Sequence, residues 1–185
     1  MTSRPPSQSW FVPLGLALSL LLLGQQTACA QLVSEYQVKA AYMYNFAKFA
    51  EWPASAFTGT ADPIRLCVLN DPPFYSQLVL IVKDKTIAGR AVLAVPVQNG
   101  LQARGCHMLF IDSSQTGEAV HLLESLQGST VLTVGETESF VDQGGIIGFV
   151  MQSGQVHFQV NHKIATQSGI RLSSRLLIVA KRVIE

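Results

Sequence analysis

The clearest pattern of apolar and polar positions lies between residues 146 and 160. Ile146 to Gln152 is apolar enough for a buried strand, Ser153-Gly154 is a turn pair, and Val156, Phe158 and Val160 then alternate with His157 and Gln159. Alternation with a period of two puts one set of side chains on each face, so the segment predicts a β-hairpin packed on a core by one side. Apolar runs at Ile64 to Leu69, Arg90 to Val95, His107 to Ile111 and Val131 to Val134 read as further strands. Asn70-Asp71-Pro72-Pro73 closes the first of these, and Asp112-Ser113-Ser114 closes the third.

Helical spacing fills the intervals. A first helix is predicted from Glu35 to Glu51, capped by Ser34 and stopped at Trp52-Pro53, because the residue before a proline is pushed out of the α region. Further helices are predicted at Phe74 to Val82, Gly117 to Leu126 and Lys163 to Gln167, with a final one from Ser174 to Val183 capped by Ser173. Glu136 to Val141 reads as one or two helical turns. Short strands and helices in alternation predict an α/β fold, a single-domain sandwich with a mixed β-sheet flanked by helices and a β-hairpin in the C-terminal half.

The N-terminus breaks this pattern. Arg4 precedes an apolar run from Phe11 to Leu23, and Ala28-Cys29-Ala30 supplies small residues, the layout of a secretory signal peptide. The run falls short of the roughly 20 apolar residues that span a bilayer. Cleavage after Ala30 is therefore expected, leaving residues 31–185 as one domain with no direct membrane insertion. A retained anchor and a lipidated Cys29 are the alternatives, although Gln26 stands where a lipoprotein signal would carry an aliphatic residue. All three place the domain on the same side of the membrane.

Export changes what the composition means. The chain holds 13 Lys plus Arg against 12 Asp plus Glu, and the loss of Arg4 balances them. A neutral domain without a basic run lacks the electrostatic footprint of a nucleic-acid binder. Cleavage also removes Cys29 and leaves Cys67 and Cys106. In an oxidising compartment an even pair predicts a disulfide, contributing about 4 kcal/mol through loop closure, with two buried thiols in neighbouring strands as the alternative. No CxxC spacing suggests redox catalysis, so the bridge is expected to be structural.

Candidate chemistry is sparse. His107, His121, His157 and His162 show neither HExxH nor an i, i+4 pairing, so no metal site is predicted. GxSxG and SxxK are absent, Ser173-Ser174-Arg175 reads first as a helix cap, and Gly144-Gly145 precedes no helix that could cradle phosphate. No catalytic residue and no cofactor is predicted, and the expectation is a protein that is not an enzyme. Arg65, Arg171 and Arg175 are candidate contacts for an anionic small ligand, such as a nucleotide or an amino acid. The first helix is apolar on two sides. Val38, Tyr42, Phe46, Phe49 and Trp52 form a stripe suited to the core, while Tyr36, Ala40, Met43, Ala47 and Ala50 form a second. That second stripe is either covered by another element of the chain or offered to a partner or a second copy.

Four stretches carry a resemblance to a known family. They are Tyr44-Asn45-Phe46-Ala47-Lys48-Phe49 with Glu51-Trp52-Pro53; Gly89-Arg90; Cys106-His107-Met108-Leu109-Phe110-Ile111; and an ending with Val160-Asn161, Ala165, Gly169-Ile170 and Leu172-Ser173-Ser174-Arg175-Leu176-Leu177. In their order and coverage, from about Glu35 to the C-terminus, they resemble the YfiR family of exported bacterial proteins. The resemblance implies a periplasmic, dimerising regulator that binds the periplasmic sensor domain of a membrane-bound diguanylate cyclase and holds it inactive. Release of the cyclase then raises cyclic di-GMP and favours biofilm. It also implies that Cys67 and Cys106 match one of the family's disulfide pairs, while a second pair, expected later in the chain, is absent here.

Overall fold

The computed structural model describes residues 35–185. The expected signal peptide, its cleavage point, Cys29 and the Ser34 cap lie outside the described residues. Helix α1 (35–49) leads into β1 (Ala50–Glu51), and β2 (Ile64–Leu69), α2 (Pro72–Val82), β3 (Thr86–Ile87) and β4 (Arg90–Val97) follow. The chain continues through α3 (Gly100–Ala103), β5 (Met108–Ile111), α4 (Thr116–Ser125) and β6 (Leu132–Gly135). The hairpin β7 (Ile147–Gln152) and β8 (Gln155–Asn161) precedes α5 (His162–Gln167), β9 (Arg171–Leu172), α6 (Ser174–Val179) and β10 (Arg182–Ile184).

The described strands form an eight-stranded mixed sheet in the order β10-β8-β7-β6-β5-β2-β4-β3, beside a two-stranded β1–β9 pair. Its centre, β4-β2-β5-β6-β7, is parallel, whereas β3 and β8 run antiparallel to their neighbours. After β2 the chain steps to β4 on one side and then returns to β5 on the other. The reversal between β2 and β5 is a topological switch point, the kind of place at the carboxyl ends of the strands where doubly wound sheets bind ligands.

Both faces of the sheet are covered, and the alternation along β2 and β5 shows how. Leu66, Val68, Met108 and Phe110 point into a cluster with Met43, Phe46, Phe74 and Leu78 of α1 and α2. Cys67, Leu69, Leu109 and Ile111 point the other way, into a cluster with Ala103, Ala119 and Leu123 of α3 and α4. Asp71 starts α2 by accepting the Phe74 N–H through its side chain, with two prolines in the first turn. On the α1 side the aromatic rings interlock: Phe46 lies 4.9 Å from Phe158 and 5.7 Å from Phe149, and Phe74 stacks on Phe110 at 3.9 Å.

Three expectations are corrected. The first helix stops at residue 49, because Ala50 and Glu51 pair with Leu172 and Arg171. Residues 137–144 form turns and no helix. The Phe140 ring lies so close to Gly135 and Gly145 that a Cβ at those positions would approach it to 2.3 and 2.1 Å. The last helix ends at Val179, and the backbone at Ala180 becomes extended. Lys181 N–H then donates to Phe158 O at 2.8 Å, drawing Arg182–Ile184 into the sheet parallel to β8.

Cys67 and Cys106 form the expected disulfide, with Cα atoms 5.9 Å apart across a sequence separation of 39. The bridge joins the middle of β2 to the approach to β5 on the α3/α4 side. Replacing both cysteines by alanine is expected to lower unfolding free energy by about 4 kcal/mol. Urea unfolding with and without reductant checks this, and a reductant-sensitive wild type beside an insensitive variant is the expected pair of results.

Candidate functional site

The stripe Tyr36, Ala40, Met43, Ala47 and Ala50 is the seated side of α1 and not a free face. Ala40, Met43 and Ala47 have no solvent exposure, Ala50 has 7%, and Tyr36 is partly buried against the same core. The small alanines in this stripe let the helix backbone approach the sheet closely. In the other stripe Phe46 is buried, Tyr42, Phe49 and Trp52 are partly buried, and Val38 is exposed.

The three candidate arginines do not share a site. Arg65 Nε donates to the Gly105 carbonyl at 2.6 Å, Arg171 pairs with Glu51 across β1–β9, and Arg175 is exposed on α6. None lines the cavities described below.

Several residues that carry the family resemblance meet instead at the amino ends of the parallel strands, and their work there is structural. Trp52 Nε1 donates to the His107 carbonyl at 2.9 Å, and its ring meets the imidazole edge-on. Phe57 stacks on His107 at 4.5 Å, and the Arg90 guanidinium covers Phe57 at 3.9 Å. Arg90 also donates to the Gly59 and Asp62 carbonyls at 2.9 and 2.8 Å. His107 is 2% exposed, and its Nδ1 accepts the Arg65 N–H at 3.1 Å, which selects the neutral Nε2–H tautomer. Burial, with the nearby Arg65 charge, pushes its pKa down. The ring therefore resists the proton that the unfolded chain takes up, and its contribution to stability is lost as pH falls below about 6.5.

The carboxyl ends hold a different arrangement that no local motif signals, because its members are far apart in sequence. Lys39 of α1 is 4% exposed and donates to Glu136 at 2.7 Å, just past β6, and to Glu35 one turn back. Asp112 follows β5 and lies near enough to Glu136 for each carboxyl to affect the other's titration. Asp71 follows β2 and senses both Asp112 and Lys39. Its Oδ1 holds the Phe74 N–H at 3.0 Å, whereas its buried Oδ2 has no hydrogen-bond partner among the described residues.

The electrostatics follow from four carboxyls facing one ammonium. Burial raises Asp71, and Asp112 adds to that against the opposing Phe74 N–H and Lys39. Burial likewise raises Glu136, with Asp112 adding to it and Lys39 opposing. Burial works against the Lys39 charge, but its hydrogen bonds to Glu136 and Glu35 prevail and its pKa rises. Asp112 moves down despite burial, because Ser114 and other donors hold its charged form. Tyr36, partly buried and near the carboxyls of Asp71, Asp112, Glu136 and Glu35, is pushed up to about 12. Among the described residues no group of three or more His, Cys, Asp or Glu has the arrangement of a metal site.

A cavity of about 500 Å³ lies at the ends of β2 and β4, between α3 and α4. Leu69, Ala119 and Leu122 give it an apolar wall, and Asn70, Arg104 and His121 supply polar groups. A smaller cavity of about 150 Å³ lies on the α2 side, against Asp71 and Tyr75.

The fold is thus a doubly wound α/β domain with an interior disulfide and a cavity at the carboxyl ends of its strands. The chain belongs to the YfiR/HmsC-like family, whose model matches residues 36–181. This is a family of periplasmic regulatory proteins, not catalytic ones, and no described helix is long and apolar enough to cross a membrane. Among solved structures, a conserved domain protein from Vibrio cholerae O1 biovar El Tor is 12% identical with a TM-score of 0.50, covering 65% of this chain and 54% of that one. The ABC domain in complex with L-Trp from Streptococcus pneumonia is 15% identical with a TM-score of 0.49, covering 70% and 57%. The chain thus spans little more than half the length of these structures, and the first likeness is one of fold. No curated protein matches the chain.

The sign of the Asp71 effect can be tested. Its folded pKa lies above the ordinary value of about 3.9, so its stabilising contribution is full below that value and is lost as pH rises through the folded pKa. Asp71→Asn keeps an oxygen for the Phe74 N–H and removes the buried charge. It is expected to match or exceed wild-type stability at neutral pH, with any advantage vanishing near about pH 4. Asp71→Ala loses the cap and should fall about 1 kcal/mol below Asp71→Asn at both pH values. Urea unfolding of the three proteins reads these differences, and the His107 contribution cancels because all three share it.

Proposed function

We propose that this protein is an exported regulator that binds the periplasmic sensor domain of an inner-membrane diguanylate cyclase and represses it, lowering cyclic di-GMP signalling. The observation that carries the reading is the YfiR/HmsC-like match over residues 36–181. The Cys67–Cys106 bridge supports an oxidising compartment, in keeping with a removable signal over residues 1–30 and a working domain over 31–185. Self-association as a homodimer belongs to the same reading.

With the α1 stripe buried, the contact surface has to lie elsewhere. Helix α6 leaves Ile178 and Val179 81% and 67% exposed, with Arg175 and Lys181 exposed beside them. An apolar pair in a basic setting suits a sensor-domain patch with an apolar centre and an acidic rim. Ile178→Asp combined with Val179→Asp should leave thermal unfolding unchanged and weaken capture of the cyclase more than about tenfold. Cellular cyclic di-GMP should rise toward the level of a gene deletion. Unchanged capture together with unchanged cyclic di-GMP in the deletion strain would sink the proposal.

A second reading, a small-ligand binding module, is favoured by the crevice of about 500 Å³, a volume ordinary for such sites. Its polar contacts would be Asn70, Arg104 and His121 in place of Arg65, Arg171 and Arg175. A ligand that binds only the folded state stabilises it by about 2.7 kcal/mol at a hundredfold excess over Kd. A thermal-shift screen of nucleotides and amino acids should find such a stabiliser, and a flat screen would remove this reading.

A further inference from the structure

One residue ties several elements together at the amino ends of the strands. His107 N–H donates to the Arg65 carbonyl at 3.0 Å, and Arg65 N–H donates back to His107 Nδ1 at 3.1 Å. The imidazole thus extends the β2–β5 pairing, whose first partners are Leu66 and Met108. The His107 carbonyl accepts two further donors, the Leu132 N–H leading into β6 and the Trp52 indole, each at 2.9 Å. Phe57 stacks on the ring and Trp52 meets it edge-on, so residues 52–63, which join β1 to β2, rest on this side chain. Arg90 holds the same connection from β4, over the Phe57 ring and on the Gly59 and Asp62 carbonyls. The His107 ring is the one titratable group on which all of this packing sits, and it is 2% exposed.

We infer that His107 is an acid-operated latch: the neutral imidazole seats residues 52–63 on the ends of the strands, and a proton on Nδ1 releases them while the sheet stays folded. With its one proton on Nε2, the neutral ring accepts through Nδ1, and a second proton can go nowhere else. Once protonated, Nδ1 is a donor facing the Arg65 N–H, so the hydrogen bond between them has to break. The surrounding charges make an imidazolium poorly placed. Arg65 of β2 and Arg90 of β4 repel it, whereas Asp62 attracts it. Asp62 is already engaged in its own turn, by the Thr58 N–H and hydroxyl at 2.6 Å each and the Gly59 N–H at 2.9 Å. Turning the ring out into water relieves the clash and the repulsion, and it removes the surface on which Phe57 and Trp52 lie. The direction of the linkage agrees, since burial makes the seated ring harder to protonate than the released one, and release is favoured as pH falls below about 6.5.

The latch needs no partner, so the purified exported protein tests it, and a failure to find a cyclase leaves it untouched. Hydrogen exchange of the Arg65 amide and the Trp52 indole, corrected for the intrinsic rate, should lose protection as pH falls below about 6.5, by up to about tenfold per pH unit. The amides of Leu109 and Phe110 in the middle of β5 should keep theirs. In the wild type, proton uptake followed through the His107 ring signals should coincide with a change in Trp52 emission, a reading that requires no variant. His107→Asn offers the Arg65 N–H an oxygen and cannot titrate, so it should abolish both pH dependences. Titration of His107 with Trp52 unmoved, protection of Arg65 and Trp52 that ignores pH, an equal loss of protection across β5, or a dependence that survives His107→Asn would each overturn the proposal.

Discussion

Helix α1 lies against the sheet through Ala40, Met43, Phe46 and Ala47, none of which has any solvent exposure. Burying Met43 and Phe46 contributes on the order of 1.5–3 kcal/mol each, and the alanines allow the approach that lets Phe46 reach Phe149 and Phe158 on the hairpin. The same seating brings Lys39 to Glu136 and passes the chain through β1 to Trp52 and His107. Hairpin packing, the amino-edge knot and the carboxyl-edge charge cluster thus depend on one helix being in one place.

The two ends of the strands have divided their work. At the amino ends, polar atoms are spent on fixing the chain: the Trp52 indole on a carbonyl, the Arg90 guanidinium on two carbonyls and a ring, and His107 held neutral. At the carboxyl ends, charge is concentrated around the single ammonium of Lys39, and the cavity at the ends of β2 and β4 lies at the same end of the strands. Framework contacts and uncompensated charge thus sit at opposite ends of the same strands.

Much of the framework was legible in the sequence, because its signals are local. Ile64–Leu69 is bounded by Pro63 and by Asn70-Asp71-Pro72, and the strand occupies those positions. The Ser153-Gly154 turn fixes the hairpin, and both residues have positive φ, as the tight reversal requires. The failures have a common cause in partners distant along the chain. Residues 182–184 carry helical spacing in isolation and become a strand because β8 offers an open edge. The stripe of Tyr36, Ala40, Met43, Ala47 and Ala50 could not be assigned from periodicity, since spacing shows that a face is apolar and not what covers it. The charge cluster was invisible for the same reason: Lys39, Asp71, Asp112 and Glu136 become neighbours through the strand order alone.

The segment that carries Glu136 is held by an aromatic ring lodged between two bare backbone positions. Phe140 is 1% exposed, and it fills the space that side chains at Gly135 and Gly145 would need. In evolutionary terms these three positions form one unit of inheritance. A smaller residue at 140 opens a void that no single neighbour can fill, and a larger one at 135 or 145 has no room until 140 shrinks. Substitutions there are expected to accumulate together or not at all, and homologues that keep the trio keep the geometry in which a carboxyl at position 136 can meet a lysine on the first helix.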